Sequence, residues 1–213
     1  MPSINTDRWL ERVFNAPGTG ELADTYDAWA ASYDADMLAV GYLHPAVAAG
    51  FVGRYIRALD GPILDAGAGT GIVGQILSVM GYRNLVGIDI SDGMLARARE
   101  RGVYADLRNQ VLGETLDFAD ESFVAVVATG VFTAGHAPAS AFIELLRVTR
   151  SGGHLIFSVG KGAWENGGFR EYLAPFEATG RFRTVEATQP YRAMPFSLGE
   201  GTSTARMFVY EVA

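Results

Sequence analysis

Leu22, Tyr26, Trp29, Ala30 and Tyr33 recur at helical spacing within the alanine-rich stretch 21–40, so a helix is expected there. A second is expected over Ala46–Leu59, with Pro45 near its first turn. Then the period changes. Short apolar runs at Pro62–Ala66, Leu85–Ile90, Phe123–Thr129 and His154–Val159 read as buried strands, with a weaker one at about 105–111. Helical segments separate them: Ile72–Met80, stopped by Gly81; 92–101, with Ser91 as N-cap and Gly102 past its end; and Ala139–Thr149, closed by Ser151-Gly152-Gly153. Strands alternating with helices predict an α/β fold, a mostly parallel sheet with helices on both faces. The tail breaks the alternation. After a helix at Phe169–Thr179, strands at Arg181–Tyr191 and Thr204–Val212 follow each other, joined by a loop containing Pro195 and Gly199. They predict a C-terminal antiparallel hairpin at one sheet edge. Residues 61–213 are expected to form the main domain, and residues 1–60 a helical lid segment that includes a flexible stretch at Ala16–Gly20.

Composition narrows the function. The 213 residues suit one compact domain, and 49% hydrophobic against 19% charged residues excludes general disorder. Glycine is about 12% (26 of 213), against a usual ~7%, which points to tight turns and close backbone approaches. The net charge, 17 − 24 = −7, argues against nucleic-acid and polybasic membrane binding. There is no cysteine, and the histidines (His44, His136, His154) are scattered, so no metal site is expected. The segment MPSINTDRWLER has no apolar h-region, and the longest hydrophobic run is Phe123–Ala128. A soluble, cytoplasmic protein is expected, a monomer or weak homodimer.

The most informative segment is Ile63-Leu64-Asp65-Ala66-Gly67-Ala68-Gly69-Thr70-Gly71-Ile72-Val73-Gly74, a strand, a glycine loop and a helix start. Its Gly69-x-Gly71-x-x-Gly74 matches the dinucleotide fingerprint, and Asp89 follows Gly69 at a distance suited to ribose hydroxyls. Two ligands compete, a nicotinamide cofactor and S-adenosylmethionine. Asp65, at the tip of the first strand, would repel a pyrophosphate and attract an ammonium, or order the loop beneath it. No Tyr-x-x-x-Lys pair for hydride transfer follows. These features favour S-adenosylmethionine, with a nicotinamide-dependent oxidoreductase as the alternative.

The run LDAGAGTGIVG, then GIDIS with DGML, then FVAVVATGV, resembles the class I S-adenosylmethionine-dependent methyltransferases. More narrowly, YDAWAASYDADM, GIDISDGMLARARERGVYADL and GVFTAGHAP resemble the methyltransferase-like family of the Williams–Beuren syndrome critical region. The resemblance implies a Rossmann-like seven-stranded sheet with the last strand inserted antiparallel. It implies a cofactor set of Tyr33, Asp65, Ala66, Gly67, Ala68, Gly69, Asp89, Ile90, Met94, Val111, Leu112 and Thr129. Within it, Gly67 and Gly69 back the methionine and ribose parts, Asp89 binds ribose, Ile90 and Met94 sandwich adenine, and Tyr33 covers the methionine end. One place departs from the pattern: where many relatives carry an acid that accepts from the adenine amino group, Val111 and Leu112 stand here.

Methyl transfer needs alignment and water exclusion, and a base only where the acceptor loses a proton. His136, after the fourth strand, is the base candidate; holding its own loop is the competing role. Trp29, Phe132, His136 and Trp164 are candidate acceptor contacts, with Phe169 and Tyr172 as possible pocket walls. The segment Thr129-Gly130-Val131-Phe132 replaces the Asn-Pro-Pro-Tyr type that suits nucleic-acid amino groups. A small-molecule acceptor is therefore expected. A cofactor-binding module without catalysis is the non-enzyme alternative.

Overall fold

The computed structural model describes residues 4–197 and 204–213. The loop position Gly199 lies outside them. Four helices precede the first strand: α1 (Ile4–Phe14), α2 (Thr19–Trp29), α3 (Tyr33–Ala39) and α4 (His44–Tyr55). The alternating part follows as β1 (Ile63–Ala66), α5 (Ile72–Val79), β2 (Leu85–Asp89), α6 (Asp92–Glu100), β3 (Asp106–Asn109), β4 (Phe123–Phe132), α7 (Ala141–Val148) and β5 (Thr149–Gly160). Then come α8 (Lys161–Glu165), α9 (Phe169–Ala178), β6 (Phe182–Ala187), β7 (Tyr191–Arg192) and β8 (Thr204–Val212).

The sheet order is β3-β2-β1-β4-β5-β8-β6, with β7 also on β8. Strands β1 to β5 run parallel, and β8 is antiparallel to β5 and to β6. The hairpin is thus present, but its second strand is inserted and its first forms the edge. The sheet has eight strands rather than seven because the expected strand 181–191 divides into β6 and β7 around Pro190, which has no N–H to give a ladder.

Period-2 alternation explains both cores. Ile63, Ala125, Val127 and Ile156 face α4 and α5, while Leu64, Val126, Ala128, Leu155 and Phe157 face α7 to α9. Helix α4 buries Ala48, Ala49 and Val52 in the first of these, so it belongs to the sheet rather than to a lid. The roof is α1 to α3, with its own cluster of Leu10, Val13, Leu22, Trp29, Met37 and Val40.

The single helix expected over 21–40 is two. A turn closed by Ser32 N–H donating to the Trp29 carbonyl (3.0 Å) separates them. It brings Asp36 back to Trp29, whose Nε1 donates to Asp36 Oδ2 at 2.8 Å. Ser151–Gly153, expected to close a helix, lies inside β5, and the glycine-rich segment around Trp164 forms α8.

Close packing around the glycine loop gives a direct test. A Cβ on Gly74 would lie 2.3 Å from the Tyr104 hydroxyl, whereas one on Gly50 of α4 meets nothing within 4 Å. Gly74→Ala is expected to cost about 1–3 kcal/mol, lowering the midpoint by several degrees. Gly50→Ala should gain roughly 0.5–1 kcal/mol. Thermal unfolding of the two variants checks the pair, and a neutral Gly74→Ala would contradict the packing.

Candidate active site

The strand order reverses beside β1, so the carboxyl ends of β1, β2 and β4 open on one crevice, the place where open α/β sheets bind ligands. The glycine loop after β1 borders it. Gly67 and Gly69 take positive φ (83° and 55°), and a Cβ on Gly67 would strike Val131 Cγ1 at 2.2 Å. The loop is tied to the tip of β2: Asp89 Oδ2 accepts from Gly69 N–H at 2.8 Å and Oδ1 from Ser91 N–H at 2.9 Å. Ser91 in turn caps α6, its Oγ accepting from Met94 N–H at 3.0 Å. Burial pushes the Asp89 carboxyl up from its ordinary range, and the two amides oppose that shift.

Asp65 lies beneath the loop, 1% exposed. Its Oδ2 accepts from the Tyr104 hydroxyl at 2.6 Å, and its Oδ1 has no partner. Burial raises its pKa to about 7; the Tyr104 bond opposes this, and the charge of Asp89 adds to it.

At the other side of the crevice β4 slips register against β5 between Ala128 and Phe132. Gly130 sits in the slip with φ 75°, and a Cβ there would stand 2.5 Å from the Tyr42 hydroxyl. The distortion turns Thr129 and Val131 into the crevice. Tyr42 is hydrogen-bonded to Thr129.

Two adjoining chambers result. The first, with about 790 Å³ of empty space partly open to solvent, brings together Tyr33, Gly67, Gly69, Asp89, Ile90, Met94, Val111, Leu112, Thr129 and His136. Asp65, Ala66 and Ala68 are buried and support the loop instead of lining the chamber. The second, about 620 Å³ and also partly open, is walled by α1 to α3, the end of β4 and the turn after β7. Trp29, Phe132 and His136 line it. Trp164 lies elsewhere, its ring 4.5 Å from Phe208 against the core, because α8 turns it onto β8. Phe169 and Tyr172 are also away from both chambers; Phe169 packs on Phe132, and Tyr172 stands beside Phe176.

Tyr26, Tyr33, Tyr42, Gly130 and His136 line both chambers. His136 Nδ1 is 2.9 Å from the Ala134 carbonyl, and its Nε2 is 2.8 Å from the Tyr26 hydroxyl. A carbonyl only accepts, so Nδ1 carries the proton and Tyr26 donates to the Nε2 lone pair. Burial lowers the His136 pKa and raises that of Tyr26, so both are neutral at pH 7. The loop is backed by α1: a Cβ on Gly135 would stand 2.8 Å from the Phe14 carbonyl oxygen.

Sequence reasoning passed over Tyr26 as a site residue, and over Tyr42 and Gln110. Tyr26 sat in plain view on the face of Trp29 and Tyr33; Tyr42 carried no spacing signal. Gln110 lines the first chamber with Oε1 held by Asp117 N–H (2.9 Å) and Nε2 unpartnered. Asp106 is outside, paired with Arg108.

The cavity suits one of the two cofactors. Among the described residues no lysine or arginine lines the first chamber. The Gly69 N–H that would serve a phosphate is already given to Asp89. Of the two strand-tip acids Asp89 lines the chamber, where its carboxyl opposes a pyrophosphate and suits a ribose, and Asp65 stands beneath the loop.

Residues 64–157 match the family described as Methyltransferase domain. Methyltransferase-like protein 27 of Homo sapiens is 38% identical over 151 residues, 67% of this chain and 60% of that protein. The chain carries a methyltransferase domain over residues 64–157 and is similar to the class I S-adenosylmethionine-dependent methyltransferases. The chain spans between about half and 60% of the length of the first curated relatives it matches. In fold it is similar to a TehB-like S-adenosylmethionine-dependent methyltransferase of Corynebacterium glutamicum (TM-score 0.66, 20% identity, 89% of this chain and 100% of that one). It is also similar to geranyl diphosphate C-methyltransferase of Streptomyces coelicolor, solved with S-adenosyl-L-homocysteine (TM-score 0.62, 15% identity, 100% of both chains). Among the described residues no single helix is long and apolar enough to cross a membrane.

Two substitutions test the strand-tip acids. Asp89→Ala is expected to weaken S-adenosylhomocysteine binding at least tenfold in calorimetric titration, since bonds to a charged group are worth about 1.5–3 kcal/mol each. An unchanged affinity in a folded variant would remove Asp89 from the site. Asp65 has a folded pKa (about 7) above its unfolded one, so the folded state holds the extra proton between pH 4 and 7. Stability without ligand therefore falls as pH rises through that window. Asp65→Asn should flatten the fall and raise the midpoint at pH 8 by roughly 3 °C or more, with little change near pH 4. The same pH dependence of the midpoint in the wild type and in Asp65→Asn would mean that Asp65 is ionised in the fold.

Proposed function

We propose that the protein transfers the methyl group of S-adenosylmethionine to a small-molecule acceptor held in the second chamber. The observation that carries this is the junction: three tyrosines and His136 line both chambers, so a group in one meets a group in the other at that ring. Asp89 would hold the ribose hydroxyls, Ile90 and Met94 the adenine faces, and Gly67 and Gly69 the backbone side, with Asp65 ordering the loop from beneath. Gln110 Nε2 is a donor, so at the base edge it would meet a ring nitrogen and not the amino group. The bound cofactor supplies an already activated methyl group.

The residues of the chain then have three tasks. The roof α1 to α3 excludes water. The tyrosine ring orients the acceptor, with the Tyr33 hydroxyl free of partners among the described residues. His136 takes a proton where the acceptor loses one: the acceptor's proton passes to the Tyr26 oxygen as Tyr26 gives its own to His136 Nε2. Neutral imidazole at pH 7 is ready for this, because burial holds its pKa below the ordinary 6.5. The non-catalytic module has no observation in its favour beyond the fold itself.

His136→Ala is expected to lower the maximal rate by roughly 10²–10⁴ with cofactor affinity near wild type, and Tyr26→Phe to act in the same direction. The rate should hold through pH 6.5, the ordinary imidazole value, and fall only at more acidic pH as His136 protonates, because its pKa is lowered. Radiolabel transfer across an acceptor panel measures both. Full turnover in both variants on an O–H acceptor would sink the proton route.

A further inference from the structure

The second chamber has a polar post that methyl transfer does not use. His44, the first residue of α4, is 6% exposed and lines the chamber. Its Nδ1 stands 2.6 Å from the Tyr191 hydroxyl, and Nε2 has no partner in the described structure. The ring is held edge-on between Tyr42 and Tyr191, with centroids at 5.3 and 5.6 Å. Burial lowers the His44 pKa to about 4, and its place at a helix N-terminus works in the same sense. The imidazole is therefore neutral at pH 7. Burial raises the pKa of Tyr191, so the phenol keeps its proton. A phenol is a stronger donor than a neutral imidazole N–H, so the hydroxyl donates to Nδ1 and the ring proton sits on Nε2. The strand β7, two residues long, is what brings Tyr191 to this place.

The two histidines thus carry opposite tautomers. His136 keeps its Nε2 lone pair beside the junction, and His44 turns an N–H into the chamber. Among the described residues that line this chamber there is no aspartate, glutamate, lysine or arginine. An ion placed there would give up part of its hydration and meet no counter-charge among these lining residues. The walls are aromatic and thioether side chains such as Trp29, Phe14, Met37 and Met194.

We infer that the acceptor is an uncharged, hydroxyl-bearing ring compound whose carbonyl oxygen is anchored by His44 Nε2–H, with Tyr191 fixing that tautomer. The inference rests on the acceptor site proposed above and deepens it. His44 is a specificity residue, away from the reacting atoms.

The test uses the full chain and four ring-matched probes: 4-hydroxyacetophenone (neutral, with a carbonyl), 4-ethylphenol (neutral, without one), 4-hydroxybenzoate (anionic) and tyramine (cationic). Titrations are run with and without S-adenosylhomocysteine, whose own binding is measured first; failure of that binding strikes the methyltransferase reading and leaves the probe comparison to be read separately. The ketone should bind at least tenfold more tightly than either ion. His44→Phe, which keeps an aromatic ring and loses the N–H, should remove the ketone's advantage over 4-ethylphenol while cofactor affinity holds. Nitrogen-15 spectra of the wild type should show His44 protonated at Nε2 alone, with that signal moving when the ketone binds. Three results overturn the inference: an ion binding as tightly as the ketone, no ketone binding at millimolar concentration, or a His44 protonated at Nδ1.

Discussion

The Asp89 carboxylate is the tie on which the site depends. It accepts the Gly69 amide from the glycine loop and the Ser91 amide from the start of α6, so two elements after two strands share one acceptor. Ser91 Oγ then donates to Asp27 Oδ1 on α2, which also accepts from Gly93 N–H at 2.8 Å. A second tie runs in parallel: Asp34 on α3 accepts from Thr70 Oγ1 and pairs with Arg101. The roof is thus fastened to the loop by charge-assisted bonds at its rim, while its interior is packed by aromatic stacking of Trp9, Trp29 and Tyr26. Polar rim and apolar interior together enclose a chamber without filling it.

What was legible in the sequence was what local chemistry dictates. The strand, glycine loop and helix at residues 63–74 need positive φ at Gly67, Gly69 and Gly71, and few residues other than glycine provide it. Asp89 was legible because the acid sits at a fixed distance from the loop. Trp164 was misread because an aromatic among glycines looks exposed; its five-residue helix exists through packing on Phe208, which spacing does not reveal. The helix α1, which backs the His136 loop, was not singled out. Tyr42 and β7 were unreadable for the same reason: each is defined by a partner far along the chain, Thr129 for one and β8 for the other.

Acid and base chemistry is separated by burial rather than by composition. The chain is acidic, yet its carboxylates at the site are at the strand tips, and the junction ring is built from phenols and imidazole. Desolvation raises every phenol there and lowers both histidines, so each group is driven to its neutral form. A ring of neutral groups can stand close together without mutual repulsion, and each still offers a lone pair or a proton.

This arrangement also decides which atoms can recognise a ligand. Buried polar groups cost free energy unless they are bonded, so most around the chambers are paired internally: Tyr26 with His136, Tyr42 with Thr129, Ser158 with Gly130 N–H. Among the described residues, the side-chain atoms at or beneath the chamber walls that stand apart include Asp65 Oδ1, the Gln110 Nε2 amide, the Tyr33 hydroxyl and His44 Nε2. They differ in kind, being one acceptor, one amide donor, one hydroxyl and one imidazole nitrogen. They also differ in place, since Asp65 and Gln110 serve the first chamber, His44 the second, and Tyr33 both. A ligand that satisfies them recovers bonds the fold leaves open, and one that does not leaves them unpaired in a dry site. Selectivity here follows from that difference more than from the apolar walls, which accept any ring of suitable size.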